Sequence, residues 1–270
     1  MAATSAARLH APPPRARRVR VACTAAAPSS APASSPGAAF VRLQDVTYQP
    51  AGAGAPLLRG VELALPSRGL ALLVGRSGCG KTTLLTLLAG LAEPTSGLAC
   101  VGGEDAAAGR HTPAAQRLER VGLVFQFPER HFLAATVSDE LTFGWPRGPN
   151  AAPLRAQLAQ RAQAALAAAG LGALPLRAPL RSLSGGTQRR LALALQLARA
   201  PPLLLLDEPL AGLDPGARRA LLPLLRAAAT TSLVLAVTHD TAELAPLADA
   251  GAWRMLPGGQ MQPAPDLAAV

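Results

Sequence analysis

The amino-acid sequence predicts an α/β fold, in which a mostly parallel sheet is covered by helices and a helical sub-domain is inserted between two strands. Three observations lead to this prediction. Short apolar runs alternate with helical patterns, a glycine-rich turn joins one apolar run to a helix, and the stretch from about residue 137 to 200 holds only helical patterns. A chain of 270 residues, 50% of them hydrophobic, is long enough for one well-cored domain with a sub-domain.

The elements follow in order from residue 39. The runs "FVRLQDVTYQ" and "VELALP" are predicted strands on either side of the loop "PAGAGAP". A short buried strand, "LALLVG", precedes the helical pattern "KTTLLTLLAGL", and "VGLVFQ", "LLLLDEP" and "SLVLAVTH" are three further strands of the same kind. We therefore predict one domain over 39–257, with its helical sub-domain at about 137–200, and a frayed C-terminal tail over 258–270.

The N-terminal segment differs in composition from the rest of the chain. Residues 1–44 contain six arginines and no acidic residue, which is typical of organelle transit peptides. The run "RVRVACTAAAP" resembles a chloroplast processing site, so we predict a chloroplast transit peptide or disordered segment over 1–38, with cleavage near residues 22–24. A mitochondrial address is the other alternative. Loss of residues 1–23 would lower the formal charge from +10 to +5.

Composition also argues against several classes of protein. The cysteines Cys23, Cys79 and Cys100 have no metal-ligand spacing, so neither a zinc site nor a disulfide framework is expected. No apolar run approaches the roughly 18 residues that a membrane-spanning helix needs. A formal charge of +5 after loss of the leader is unexceptional, and we predict no nucleic-acid partner.

A phosphate-binding loop follows the strand "LALLVG". The run "GRSGCGKT", residues 75–82, matches G-x-x-x-x-G-K-[ST] between a strand and a helix. Its glycines let the backbone aim N–H groups at a phosphate, and the helix N-terminus adds its dipole. Lys81, the only lysine of the chain, supplies a charge between the β- and γ-phosphates, and Thr82 can coordinate Mg²⁺. The predicted nucleotide-binding residues are Tyr48, Gly75, Arg76, Ser77, Gly78, Cys79, Gly80, Lys81, Thr82 and Thr83.

Polar side chains follow three other predicted strands, where open α/β sheets bind ligands. Asp207 and Glu208 end "LLLLDEP", Gln126 ends "VGLVFQ" and His239 ends "SLVLAVTH". We predict that Glu208 activates the attacking water, that Gln126 contacts metal and water, and that His239 contacts the γ-phosphate. The predicted Mg²⁺ residues are Thr82, Gln126 and Asp207.

Two nucleotide-site residues have structural alternatives. Tyr48, the only tyrosine, is predicted to stack on the adenine, and core packing is the competing interpretation. Cys79 lies inside the phosphate loop beside a helix N-terminus, where a thiol can be sensitive to oxidation. The plainer interpretation of Cys79 is a small residue at a tolerant position.

A second anion-binding turn lies in "LSGGTQRR", residues 183–190. This polar, glycine-paired turn opens the apolar helical run "LALALQLA", so its amides project from a helix N-terminus. Because the chain already has a phosphate site, the second turn needs another explanation.

Six motifs in a fixed order supply that explanation. "GRSGCGKT", Gln126, "LSGGTQRR", "LLLLDEP", "AGLD" and His239 together resemble the ATP-binding subunit of an ABC transporter, over residues 40–257. The resemblance implies a P-loop NTPase of the ABC ATPase type, with a mostly parallel core sheet, an N-terminal antiparallel β part and an inserted helical sub-domain. It also implies ATP and Mg²⁺ as ligands and ATP hydrolysis as the activity.

In that family the second turn holds the γ-phosphate of ATP bound to another subunit, so the resemblance implies a second ABC ATPase chain as partner. The turn's predicted residues here are Leu183, Ser184, Gly185, Gly186 and Thr187, and Asp214 is expected at the dimer seam. Thr187 stands where the family usually has Gln, which leaves its effect on hydrolysis open. The resemblance is compatible with a homodimer and with a heterodimer.

A finer resemblance is carried by "VFQFPERHFLAATVSDELTFG". It is similar to the ATPases of energy-coupling-factor transporters for vitamins and cobalt or nickel ions, and the whole chain resembles the soluble chloroplast ABC ATPases of plants and algae. A multispan membrane subunit is expected to dock near Gln126–Phe132. We predict Phe127 and Phe132 at this interface, and Phe125 and Phe143 in the core.

Two functions remain in competition. The first is an ATPase subunit, peripheral on the envelope or thylakoid membrane and facing the stroma, that powers a separate chloroplast transporter, with transition-metal ions as the favoured solute. The second is a soluble ABC ATPase of plastid iron–sulfur cluster assembly. The "FQ-x-P-E-x-x-F" pattern favours the first, and the nature of the partner would discriminate between them.

Overall fold

The computed structural model of the protein describes residues 39–267. The predicted transit peptide, 1–38, therefore lies outside the described residues. The strands are β1 (Val41–Tyr48), β2 (Leu58–Leu65), β3 (Gly69–Val74), β4 (Ser96–Val101), β5 (Val121–Val124), β6 (Leu203–Asp207), β7 (Leu233–Thr238), β8 (Ala252–Met255) and β9 (Met261–Pro263). The helices are α1 (Lys81–Leu88), α2 (Gly103–Ala108), α3 (Ala114–Arg120), α4 (Val137–Leu141), α5 (Ala152–Ala168), α6 (Gly185–Arg199) and α7 (Pro215–Thr231).

A six-stranded sheet in the order β5-β6-β7-β3-β8-β9 forms the centre of the molecule. All its neighbouring strands are parallel except β9, which pairs antiparallel with β8. Every residue of β3, β6 and β7 is buried, because this sheet is packed on both faces and its strands are continuous Leu, Val and Ala runs. The predicted α/β fold class is confirmed.

A smaller antiparallel sheet, in the order β2-β1-β4, packs over one face of the parallel sheet with α1 between them. In β2, buried residues alternate with exposed ones over most of the strand, as expected when one face lies on the core and the other faces water. This is the predicted N-terminal β part. The opposite face of the parallel sheet is covered by α6, α7 and the C-terminal half of α5.

The helical sub-domain contains α4, α5 and most of α6, and residues 137–200 form no strand, as predicted. Its base is closed by backbone bonds between two separate segments: the amides of Val137 and Ser138 donate to the carbonyls of Ala178 and Leu176. Within the described residues, no helix has the length and apolar character that crossing a membrane requires.

The C-terminal segment contains a paired strand where a frayed tail was predicted. Gly258 and Gly259 both have positive φ, which lets the chain reverse from β8 into β9. The Gly259 carbonyl accepts from the Arg59 amide, and a Cβ on Gly259 would lie 1.9 Å from the Leu57 carbonyl oxygen. Residues 258–263 are therefore tied to the beginning of β2, a backbone contact that the sequence pattern does not reveal.

Candidate active site

The phosphate loop lies between the buried strand β3 and the N-terminus of α1. Gly78 and Gly80 have positive φ, and a Cβ on Gly75 would come within 2.7 Å of the Met255 carbonyl oxygen, so the curled path requires glycine. The ammonium of Lys81 donates to the carbonyls of Gly75 (2.7 Å) and Arg76 (2.9 Å). Lys81 is buried, and two of the three N–H groups of its ammonium are used in these hydrogen bonds to the loop. One N–H group therefore remains for a ligand.

Thr82 and Asp207 form a pair of oxygen groups beside this loop. The Thr82 hydroxyl donates to Asp207 Oδ2 over 2.7 Å, although the two residues are far apart in sequence. Burial raises the pKa of Asp207 and the charge of Glu208 adds to the increase, whereas the Thr82 hydrogen bond and Lys81 oppose it. A cation placed here would favour the ionised carboxylate.

Glu208 and His239 meet at the neighbouring strand ends. Glu208 Oε1 lies 2.8 Å from His239 Nδ1, and Oε2 accepts from the Thr238 hydroxyl (3.2 Å) and the His239 amide (3.4 Å). The side chain of Glu208 is 10% exposed and that of His239 is 64% exposed. A nearly buried carboxylate thus lies next to an exposed imidazole. This arrangement suits a general base that binds one water molecule while the surrounding protein excludes others.

The backbone at Glu208 is strained. Its φ of 48° is in the left-handed region, which costs a non-glycine residue about 1–3 kcal/mol. Its amide donates to the Val237 carbonyl over 2.8 Å, and its own carbonyl accepts from Arg189. The sharp turn directs the side chain back toward β7 and His239.

Gln126 and Tyr48 lie at the border of this site. Gln126 lies two residues after the end of β5 and is half-buried. Its backbone carbonyl accepts a hydrogen bond from Arg189 Nη2. Tyr48 ends β1 and is also half-buried against the core. The Tyr48 carbonyl accepts from the Leu57 amide, and the Leu57 carbonyl lies 3.1 Å from the position of a Cβ on Gly80. Tyr48 is therefore hydrogen-bonded to a residue whose carbonyl would crowd a side chain at Gly80, and core contact accounts for part of the burial of Tyr48.

The second anion-binding turn is exposed at the N-terminus of α6. Ser184 is the N-cap: its hydroxyl accepts from the Thr187 amide (3.3 Å) and contacts the Thr187 hydroxyl (2.9 Å). A side chain added at Gly185 would meet no described atom within 4 Å, whereas one at Gly186 would contact Ala217 of α7. Leu183 packs against the core beneath.

Asp214 caps α7 next to this turn. Its Oδ1 accepts from the amides of Gly216 (2.8 Å) and Ala217 (3.0 Å), and these backbone hydrogen bonds lower its pKa. Asp214 is exposed, and its place at a seam between two chains stays a prediction.

These groups fit a magnesium nucleotide. Gly78 has open space around it, the amide end of α1 lacks a side-chain cap, and the Thr82–Asp207 pair supplies the hard oxygen donors that Mg²⁺ prefers. Residues 39–267 contain no cluster of three or more His, Cys, Asp or Glu able to hold a metal ion. When bound, Mg²⁺ would neutralise charge on the phosphoryl oxygens.

The sequence pattern did not reveal the contacts of Arg189, and the prediction for Phe143 was wrong. Arg189 contacts the backbone at both Gln126 and Glu208, but its acceptors are carbonyls, so the only available signal was the arginine pair after "LSGGTQ". Phe143 was predicted in the core and is 51% exposed, because the short helix α4 ends before it. Phe132, predicted at an interface, is half-buried and packs against the core, and its role at an interface stays a prediction.

A parallel sheet with a glycine loop leading into α1 and an Asp-Glu pair at the end of β6 defines a P-loop NTPase. The family model described as "ABC transporter" matches residues 58–211. The chain belongs to the ABC transporter family, as an ATP-binding subunit that hydrolyses ATP.

Three relatives support this assignment. "ABC transporter I family member 11, chloroplastic" of Arabidopsis thaliana is 47% identical over 220 residues, 81% of this chain and 79% of the relative. The energy-coupling factor transporter ATP-binding protein EcfA2 of Symbiobacterium thermophilum is 39% identical over 208 residues, 75% of this chain and 69% of the relative. The Fe(3+) ions import ATP-binding protein FbpC 1 of Rhodococcus jostii is 42% identical over 206 residues, 73% and 54% respectively.

Among solved structures, cbiO1 of Clostridium perfringens, described as part of the ABC transporter complex cbiONQ, is similar with a TM-score of 0.67. It is 25% identical, and the match covers 83% of this chain and 87% of that one. The resemblance to energy-coupling-factor ATPases and to a chloroplast ABC protein is therefore confirmed, together with the ABC ATPase fold.

Proposed function

We propose that this protein is the ATPase subunit of a chloroplast transporter whose membrane component is a separate chain. The observation that carries the proposal is the convergence of Thr82, Asp207, Glu208 and His239 at the ends of β6 and β7, beside the phosphate loop. The 47% identity to a chloroplastic ABC transporter protein of Arabidopsis thaliana supports the location.

In this proposal the residues of one chain bind and orient ATP. Tyr48 stacks on the adenine, the loop Gly75–Thr83 surrounds the β-phosphate, and Lys81 contacts the β- and γ-phosphates. Thr82 and Asp207 hold Mg²⁺ with help from Gln126. Glu208 accepts a proton from the attacking water, and His239, held through Nδ1, presents its other ring nitrogen to the γ-phosphate.

The exposed turn at Ser184–Thr187 binds the ATP of a second copy of the chain. The N-terminal amides of α6 and the open space at Gly185 suit a phosphate, yet they belong to a sub-domain separate from the phosphate loop. Because one chain contains every motif, two copies arranged head to tail would form two complete sites, with Asp214 at the seam. ATP binding would close this dimer and hydrolysis would reopen it.

A membrane subunit is proposed to dock beside Gln126–Phe132. Phe127 is 44% exposed, and the Arg130 guanidinium lies over its ring at 4.7 Å from the ring centre. Three other large apolar side chains are each more than 50% exposed: Leu133, Phe143 and Leu176. Large exposed apolar side chains are compatible with an interaction surface in this part of the chain. We propose a transition-metal ion as the solute, since one relative bears the name of an Fe(3+) import ATPase.

Capture of the closed state tests this proposal. The Glu208→Gln protein, imported into chloroplasts through residues 1–38 and tagged at its C-terminus, would be recovered with ATP and Mg²⁺. A multispan membrane protein that is enriched over a Glu208→Gln/Lys81→Ala control would support the transporter. Recovery of a soluble scaffold alone would contradict it and favour iron–sulfur cluster assembly.

A further inference from the structure

Arg189 lies where the helical sub-domain joins the ATPase core. It is the fifth residue of α6, two residues after the exposed Ser184–Thr187 turn ends, and it is 8% exposed. Its guanidinium extends away from its own helix and reaches two segments of the core. These segments are the chain's entry into the sub-domain, at Gln126, and the turn that follows β6.

All the hydrogen-bond acceptors of Arg189 are backbone carbonyls. Nη1 donates to those of Glu208 (3.0 Å), Pro209 (3.2 Å) and Ala211 (2.6 Å), and Nη2 donates to that of Gln126. A planar fork of donors can join two segments in a fixed geometry, which a single ammonium cannot do equally well. Because the acceptors are main-chain atoms, the contact fixes where these segments lie, while the carboxylates of Glu129 and Glu208 interact electrostatically with the buried guanidinium.

The contact acts on a backbone that would otherwise relax. Glu208 has positive φ, and its amide and carbonyl are held by Val237 and Arg189 respectively. Loss of the carbonyl bond would free one side of this turn. The Glu208 carboxylate would then drift from His239, and a misplacement of about 1 Å at a reacting group can cost roughly 100-fold in rate.

We propose that Arg189 is a positioning residue, which holds Glu208 and Gln126 in register with the first turn of α6. This inference rests on the roles assigned above to Glu208 and Gln126. Through Arg189, a movement of the Ser184–Thr187 turn toward a partner's nucleotide is transmitted to the chain's own water-activating carboxylate. The guanidinium itself does not touch ATP.

The test compares Arg189→Gln with Arg117→Gln in the full chain. Arg117 is a matched control because it is also buried and donates to the Thr112 and Ala92 carbonyls, but it lies on α3 and contacts Glu93 rather than the site. We expect Arg189→Gln to lower kcat for MgATP by about tenfold or more with KM changed less than about threefold. Arg117→Gln is expected to lower Tm and leave kcat within about twofold of the wild type.

Hydrogen exchange supplies a readout that a general loss of stability would not reproduce. In Arg189→Gln, amide exchange should increase selectively in residues 126–132 and 208–213, and Arg117→Gln should leave these segments protected. Arg189→Lys, which keeps the buried charge without the fork, provides the same comparison if Arg189→Gln does not fold. An unchanged kcat in the folded Arg189 variants, or an equal loss in Arg117→Gln, would overturn the proposal.

Wild type and Glu208→Gln are measured in parallel. If the wild type hydrolyses ATP and Glu208→Gln does not, the assignment of Glu208 stands whatever the Arg189 variants show. If Glu208→Gln remains active, the proposed function of the site fails independently of Arg189.

Discussion

The protein has two helix N-termini suited to bind phosphate, and they differ in how much of a site surrounds them. The N-terminus of α1 follows β3 after the loop 75–80, begins with buried Lys81 next to buried Cys79, and lies beside Asp207 and Glu208. The N-terminus of α6 is exposed, and it is capped by its own Ser184. The first has a cation, the oxygens proposed to hold Mg²⁺ and the proposed base within one chain, while the second offers little beyond amides and a hydroxyl.

This difference supports the proposal that the two turns serve the nucleotides of different chains. The turn at α1 is built into the parallel sheet, which fixes its geometry. The turn at α6 lies on a sub-domain held to the core by two chain connections and by contacts such as that of Arg189. A half-site of this kind acquires a function only when another surface brings a phosphate to it.

The largest expected effect is on the complete site. Glu208→Gln keeps the shape of the side chain but cannot accept a proton, so we expect ATP turnover to fall by about 10²–10⁴-fold. Binding of ATP should persist, since the phosphate loop is untouched. Turnover measured with purified protein, alongside ATP binding, checks this, and substantial residual hydrolysis would assign the base elsewhere.

One substitution at each helix N-terminus tests whether the two turns differ in their contribution to ATP binding. Lys81→Ala removes hydrogen bonds to charged phosphates and should weaken ATP binding by the isolated chain about 10- to 100-fold. Ser184→Arg should leave that affinity within about twofold, because the turn at α6 takes no part in binding by one chain, yet it should abolish hydrolysis. Titration of a fluorescent ATP analogue at low protein concentration measures both affinities. Equal losses would remove the distinction between the two turns.

Acidification should affect the complete site first. Burial raises the pKa of Asp207, so this carboxylate becomes protonated at a higher pH than an ordinary aspartate, whose pKa is about 3.9. Mg²⁺ favours the ionised form, so Mg²⁺ affinity should fall as pH decreases through the raised pKa. Without metal, thermal stability should depend on pH in the opposite direction. Because the folded protein then binds the extra proton at Asp207, Tm should decline as pH rises through the same range. Calorimetric Mg²⁺ titrations should lose this pH dependence in Asp207→Asn.

The smallest expected effect concerns Thr187 in the turn at α6. Its hydroxyl contacts that of Ser184 over 2.9 Å and so competes with a ligand for that group. Thr187→Gln should release the Ser184 hydroxyl and raise turnover by about two- to fivefold, the value of one modest hydrogen bond. Steady-state kinetics with Thr187→Val as a control for loss of the hydroxyl alone checks this. A lower turnover in Thr187→Gln would show that the threonine is matched to its site.

The sequence predicted those parts of the molecule in which neighbouring residues encode the geometry. The phosphate loop needs glycine at fixed positions, and a buried strand ending in Asp-Glu brings both carboxylates to one edge of the sheet. It could not predict contacts made to main-chain carbonyls, such as the four from Arg189, because any residue supplies a carbonyl. The exposure of Phe143 and the pairing of β9 depend on how separate segments pack, which the local sequence pattern does not determine.

The most direct test of the central claim is the mass of the Glu208→Gln protein, with residues 1–38 removed, by light scattering with and without ATP. We expect a monomer without nucleotide, a dimer with ATP, and a monomer again when Ser184→Arg is added, although that double variant still binds ATP. A protein that stays monomeric at saturating ATP, or a dimer indifferent to Ser184→Arg, would contradict the claim that the turn at α6 completes the site of a second copy.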